Sequence, residues 1–346
     1  MKILLLAPTF YSLDKTIKTG FESMGHTVHH HDYRYFLKNW QRQFNVQIYR
    51  LPFKLRNRWE RYYLPNINKK HIEIFNENKP DLVVIYNNEA LLPETVKYFK
   101  AKNARIMFIM GDSPYYTASN DYYLHLLFQA DMIVLPDSFW ADQLRLLGIK
   151  NIIVDYPGFN HTLSHFREPT REEKEKFRFD LLFVGTGYAD AWGYKRTLFA
   201  SQFARLNTKV LGNRHWLKWL EFFPELKPKF ELIKNRISPE QLIIMKKCAK
   251  VYPVDANPAV LNGIHLRMFD CIAMGVLPLV EYRKDLDTFF KEVNLPLIKN
   301  YQDAEGLAKK FISNDSLREK TLKELFDYTR VRFSPDIVFG KILKML

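Results

Sequence analysis

The sequence predicts two consecutive α/β domains, each a doubly wound, Rossmann-like parallel sheet, and three observations carry that expectation. The 346 residues exceed what one typical core holds. Short apolar runs alternate with helical patterns from the first residue onward, which is the signature of a parallel sheet covered on both faces. A polar, charged stretch at 161–176 separates one series of alternations from a second. Two such sheets facing each other would leave a cleft at the carboxyl ends of their strands, where ligands of doubly wound sheets bind.

In the first half, strands are expected at Lys2–Ala7, Thr27–His30, Leu82–Tyr86, Ile106–Met110, Met132–Leu135 and Ile152–Tyr156. Between them lie the helices Asp14–Met24, Leu92–Lys102 and Trp140–Leu147, with Gly25 and Gly148 placed to end two of these. In the second half, apolar runs at Phe179–Gly185, Thr208–Leu211, Lys250–Val254, Val276–Val280 and Leu297–Ile298 read as strands. Its helices are Arg196–Arg205, Pro239–Cys248, Leu266–Met274, Ala304–Ser313 and Ser316–Tyr328, and Pro335–Leu346 is a short amphipathic helix. The expected domains are 1–160 and 177–330, with 161–176 as linker and 331–346 as a tail helix packing back on the first domain.

Composition narrows the class. Hydrophobic residues make up 47% and aromatics 15%, enough for packed cores. Two cysteines, Cys248 and Cys271, supply neither a disulfide framework nor zinc-ligand spacing, which points to the cytoplasm. The run Met1–Pro8 is too short for a signal peptide or a membrane span and reads as a buried strand, so a soluble or peripheral protein is expected. The three histidines His29–His31 alternate faces on a strand and make a poor chelate, and no metal is assigned.

Net charge is +14, which suits anionic partners. Much of it sits in Arg34–Lys70, where ten basic residues face one acid, Glu60, and ten aromatics from Tyr33 to Tyr63 are interleaved with them. This pattern fits an anionic membrane interface or single-stranded nucleic acid; a solvated helical insertion with inward-packed aromatics is the plain alternative.

Several loops can carry chemistry. Asn257–Val280 joins a polar loop, an amphipathic helix and a strand: Asn257, Asn262 and Gly263 precede the helix, and Arg267 and Asp270 share one of its faces. It reads either as a phosphate site at a helix N-terminus or as an ordinary helix–strand corner with an internal Arg–Asp pair. The loop Gly185-Thr186-Gly187-Tyr188, followed by Arg196, lets a phosphate or sugar approach the backbone, but it lacks dinucleotide or Walker spacing. Gly212-Asn213-Arg214-His215 adds a polar strand end on the same sheet edge. Ser238 with Pro239 is a helix entry, and Asp137 a helix cap. Asp112 stands on a turn after a strand, as a general base or as a turn cap, with Asn87, Asn88 and Glu89 at a neighbouring strand end.

In order and spacing these stretches resemble a GT-B glycosyltransferase of the CgeB-like (spore maturation) group, whose C-terminal domain is similar to glycosyltransferase family 1. The resemblance runs over nearly the whole chain, through Lys2–Ala7 with Gly25–Val28, Asp112–Pro114, Ala130–Val134, Tyr156–Asn160, Asp180–Gly185, Ile237–Glu240 and above all Asn262–Gly275. It implies transfer of a sugar from a nucleotide-sugar donor, linked to UDP, GDP or CMP, to a glycan or lipid-linked acceptor, without a metal or tightly bound cofactor. It places Asp270 on the donor ribose, Arg267 and the Gly185 loop on the diphosphate, and Asn262-Gly263 near the donor sugar. The leading reading adds a lipid-linked or surface-polysaccharide acceptor at the inner membrane face, with the basic, aromatic Arg34–Lys70 as the docking side and no nucleic acid expected. A protein or soluble acceptor and a catalytically silent binder are the alternatives. Retaining relatives carry two glutamates eight positions apart where this chain has Asn262 and Asp270. Inverting transfer would use Asp112 as base; retaining transfer would lean on Arg267 and helix ends.

Overall fold

The computed structural model describes residues 1–9, 13–48, 51–87, 90–115, 122–233 and 237–346, and leaves the side chains at 45, 46 and 53 undescribed. Arg50, Asn88 and Glu89, which fall in the stretches singled out above, lie outside the described residues. The chain divides into two compact units: Met1–Pro157 with Pro335–Leu346, and Gly158–Ser334.

Among the described residues the first unit holds a six-stranded, all-parallel sheet of β1 (Lys2–Leu6), β2 (Thr27–His31), β3 (Leu82–Tyr86), β4 (Arg105–Ile109), β5 (Met132–Leu135) and β6 (Ile152–Val154), in the order β2-β1-β3-β4-β5-β6. Helices cover both faces, so the central strands are apolar beyond an exposed first residue in β1 and β4, and every residue of β3 is buried. Local chemistry sets the helix ends. Asp137 accepts hydrogen bonds from the Phe139 and Trp140 amides at the start of helix Ser138–Leu146. Gly25 and Gly148, at φ 80° and 90°, turn the chain out of helices as expected. Helix Pro335–Leu343 packs on helix Leu13–Ser23, with Phe339 stacked 4.2 Å from Phe21 and Pro335 filling the space beside Gly20.

The second unit repeats the plan with β7 (Leu181–Gly185), β8 (Thr208–Gly212), β9 (Phe230–Leu232), β10 (Val251–Val254), β11 (Leu277–Glu281) and β12 (Leu297–Ile298), in the parallel order β12-β11-β10-β7-β8-β9. β9 is an addition to the strands expected from sequence; two half-buried apolar residues around an exposed Glu231 carry too little pattern to announce it. The segment 161–176, expected as a linker, lies in this unit and carries helices His161–Ser164 and Arg171–Lys176, the second closed by a Thr170/Glu173 capping box. Ser238 caps helix Pro239–Lys247 by accepting from the Gln241 amide.

The Arg34–Lys70 stretch is helical at Asn39–Ile48 and in the 26-residue Phe53–Asn78, which runs through Pro65. Its buried stripe includes Ile67, His71 and Phe75. Tyr33, Phe36 and Tyr63 pack inward on Leu37, Ile67 and Ala90, whereas Tyr35, Trp40 and Tyr62 stand exposed. No helix among the described residues is long and apolar enough to cross a membrane.

Candidate functional site

Strand order in the second unit reverses between β7 and β10, and such a switch point is where doubly wound sheets open a crevice at their carboxyl ends. Gly185 ends β7 in register with Gly212 of β8. The loop after Gly185 is held in place by that neighbour: Asn213 accepts from the Gly187 amide at 2.9 Å and donates to its carbonyl at 3.3 Å. Trp216 donates its indole N–H to the Gly185 carbonyl at 2.9 Å, and Trp219 to the Tyr188 carbonyl at 2.6 Å. A Cβ on Gly187 would sit 2.6 Å from Trp216, so the glycine is needed for this close approach. Tyr188 stacks on Trp192 at 4.0 Å, and the Arg196 guanidinium lies 5.0 Å over Trp192.

Charged groups converge beside this loop. Asp255, one residue past β10, is fully buried between two guanidiniums. Arg196 donates from Nε to its carboxylate at 2.8 Å and from Nη1 to the Thr186 carbonyl at 2.6 Å. Arg267 brings Nη1 to 2.9 Å from Asp255 Oδ1 and donates from Nη2 to the Asp255 carbonyl at 2.9 Å. Burial by itself would raise the Asp255 carboxyl; the guanidiniums of Arg267 and Arg196 outweigh it and hold the group well below the usual carboxylate range. The internal Arg267–Asp270 pair considered from sequence therefore gives way to Arg267–Asp255. The sequence spacing missed this partner because it comes from a neighbouring strand end.

At the adjoining end of β11, Glu281 accepts from Lys195, from the Ala256 amide at 2.8 Å and from the Tyr301 hydroxyl at 3.1 Å, with Arg283 3.2 Å away. Burial lowers the Lys195 ammonium pKa, and Glu281 works against that shift. Lys195, Arg196, Arg267 and Arg283 thus meet two carboxylates, Asp255 and Glu281, which leaves the cations in surplus at the strand ends.

Helix Leu266–Ala273 starts here. His265 caps it, its Nδ1 accepting from the Arg267 amide at 3.1 Å, and burial together with Arg267 keeps this imidazole neutral well below its ordinary pKa. Before the helix, Asn257 caps its own turn by accepting from the Ala259 amide at 2.9 Å, and Gly263 is buried. The Asp285 amide donates to the Asn262 carbonyl at 2.9 Å and ties this loop to helix Lys284–Phe289. Asp270, one turn into the helix, is half-buried; burial raises its carboxyl pKa, while Lys246 and the Asn160 side-chain amide act to lower it. Arg214 stands exposed after β8.

The second unit thus brings Gly185, Thr186, Gly187, Tyr188, Arg196 and Asn213 together in one loop assembly, with Arg267 joined to it through Asp255. Lys195, Asp255, Glu281 and Arg283 are residues that sequence reasoning passed over, and their one signal was position close to a strand or helix end.

In the first unit, Asp112 is exposed and accepts from the Asn87 side-chain amide at 3.0 Å, while Asn87 in turn accepts from the Gly111 amide at 3.1 Å. Partial desolvation raises the Asp112 carboxyl above its ordinary value. Among the described residues no group of three or more His, Cys, Asp or Glu is arranged to hold a metal ion.

No protein-family model matches the chain, and no curated protein does. Solved structures do. A sucrose-phosphate synthase (tll1590) from Thermosynechococcus elongatus matches with TM-score 0.67 at 10% identity, over 100% of this chain and 98% of that one. Anabaena Alr3699/HepE in complex with UDP and glucose matches with TM-score 0.63 at 11% identity, over 100% of both chains. A UDP-forming α,α-trehalose-phosphate synthase from Burkholderia xenovorans matches with TM-score 0.65 at 11% identity, over 99% and 98%. At such identities the likeness speaks for the fold, and the fold is the two-unit α/β architecture of GT-B glycosyltransferases, each unit built on a six-stranded parallel sheet.

Proposed function

We propose that this chain is a glycosyltransferase that takes a sugar from a nucleotide-sugar donor, with the donor diphosphate held at the strand ends of the second unit. The observation that carries the reading is the surplus of cations at the β7/β10 switch point, where among the described residues Lys195, Arg196, Arg267 and Arg283 form ion pairs with Asp255 and Glu281. A diphosphate brings the missing negative charge, and the N-terminus of helix Leu266–Ala273 adds backbone N–H groups and the positive end of its dipole. UDP or UDP-glucose, named with several of the structural neighbours, is the first donor to try.

In this reading Arg267, one-fifth exposed, reaches the diphosphate from its anchorage on Asp255, and the cations stabilise the leaving group without a metal. Asp270 takes the ribose, Asn257, Asn262 and Gly263 border the sugar, and Tyr188 and Arg214 line the approach. Asp112 accepts the proton of the acceptor hydroxyl, a task helped by its raised pKa. We assign the chain to the CgeB-like group, with a lipid-linked or cell-surface glycan as acceptor and a place at the inner membrane face. The sugar-phosphate synthases among the structural neighbours favour a second reading, a soluble acceptor.

Thermal unfolding of the full chain with UDP, GDP and CMP, followed by donor-hydrolysis assays with the matching nucleotide sugars, tests the function. Stabilisation by one nucleotide and slow hydrolysis of its sugar conjugate are expected. No response to any of the three would sink the transferase reading, and stabilisation without hydrolysis or transfer would mark a silent binder.

A further inference from the structure

We propose that the paired helices Asn39–Ile48 and Phe53–Asn78 form a docking surface for an anionic lipid bilayer. The proposal rests on the lipid-linked acceptor reading for its purpose, and on the following geometry for its physics.

Rings join the two helices and then continue into solvent. Trp59 is the centre: Phe44 meets it edge-on at 4.7 Å, Trp40 lies 6.4 Å away, Tyr62 5.7 Å and Tyr63 5.8 Å. Tyr63 faces inward, but Trp40 is 58% and Tyr62 62% exposed, so the cluster presents large amphipathic rings to water. Aromatic rings of this kind settle at the headgroup level of a membrane. Leu51 and Leu55, 41% and 53% exposed, add aliphatic surface on the same segment.

Cations share this surface. Lys54, Arg58 and Arg61 recur at helical spacing on the exposed side of Phe53–Asn78, and Arg42 is exposed on the shorter helix. The single acid between residues 34 and 70, Glu60, is engaged by Arg56 at 2.8 Å. The charge therefore complements an anionic surface and opposes the approach of a second copy of the same face. Single-stranded nucleic acid also pairs cations with rings, but bases stack on aromatic faces and make no use of exposed leucines. Leu51 and Leu55 favour the bilayer, where aliphatic burial adds to the electrostatic attraction.

Sedimentation of the full chain with vesicles of phosphatidylcholine alone, or with about 30% phosphatidylserine added, provides the test. Binding to the anionic vesicles only is expected, falling as salt shortens the screening length. Each of Lys54→Gln, Arg58→Gln and Arg61→Gln should weaken partitioning by about fivefold, and Trp40→Ala with Tyr62→Ala should weaken it at high salt as well. Unchanged thermal unfolding of the variants verifies their fold. Equal binding to neutral vesicles, no binding to anionic ones, or an unaltered triple variant overturns the proposal. So does capture of a single-stranded oligonucleotide without vesicle binding. A nucleotide-induced stabilisation that survives a failed vesicle test would overturn the docking surface and leave the transferase reading standing; vesicle binding without any nucleotide response would do the reverse.

Discussion

At the scale of single residues, Asp255 decides how the cation cluster at the proposed donor site holds together. Its carboxylate separates two guanidiniums, one nearly fully buried, that would otherwise face each other across a few ångströms. Replacing it by Asn keeps the shape and removes the charge. Breaking a buried pair in this way costs about 3–5 kcal/mol, so Asp255→Asn is expected to lower the urea unfolding midpoint sharply and to abolish nucleotide-induced stabilisation. Asp112 makes the opposite test, because it is exposed and its replacement should leave stability alone. Asp112→Asn is expected to cut transfer by about 10²–10⁴-fold with donor affinity unchanged. Its raised pKa fixes the sign of the pH effect: the base must be ionised, so kcat/KM falls on the acid side with a midpoint above the ordinary carboxylate value of 3.8. Transfer that ignores Asp112→Asn would remove it from the mechanism.

At the scale of elements, two helical glycines separate packing from propensity. A Cβ on Gly193, in helix Ala191–Ser201, would lie 1.9 Å from the Tyr188 carbonyl oxygen and 2.3 Å from Trp219, whereas Gly306, in helix Ala304–Ser313, has open space around it. Alanine is better than glycine in a helix by about 0.8–1 kcal/mol. Gly306→Ala should therefore stabilise by roughly that amount, and Gly193→Ala should destabilise and disturb the Tyr188 loop, as chemical unfolding of both variants will read. The same contrast explains what was legible in the sequence. Strands such as Leu82–Tyr86 announce themselves because burial on both faces demands unbroken apolar runs. Caps such as Asp137 and Ser238 are legible because the bond is local. The Arg196–Asp255 and Lys195–Glu281 pairs were not, since each joins residues 59 and 86 positions apart that only the strand order brings side by side. Arg196, Asn213 and Arg267 were picked out from their loops, but the roles of Arg196 and Asn213 in bracing the Gly185 loop became visible only with their partners.

At the scale of the whole molecule, buried histidines set an acid limit. His71 is fully enclosed, and burial lowers its pKa to about 3; His31, against which it packs edge-on, is lowered to about 4, again chiefly by burial. Both are neutral in the folded chain at pH 5, while the unfolded chain takes up protons below its ordinary value of 6.5. Their contribution to stability is therefore complete above 6.5 and is lost as pH falls towards the folded values. For His71 the slope is about 1.4 kcal/mol per pH unit. Urea midpoints measured from pH 7 to pH 4 should fall accordingly, and His71→Phe should flatten the decline; a midpoint indifferent to pH over this range would show that the ring is not held neutral.

The stacking of Phe339 on Phe21 carries a consequence for synthesis. The first unit contains both ends of the described chain, so its helix Leu13–Ser23 leaves the ribosome long before the helix that covers it. At about 5–20 residues per second, Phe21 waits roughly 15–60 s for its partner, while the entire second unit is made in between. A nascent chain stopped at Ser334 would leave the Phe21 face without the helix that covers it. Pulse-labelled chains released at Ser334 should accordingly be far more sensitive to protease within residues 1–157 than chains released after Leu346, whereas the second unit should be equally resistant in both.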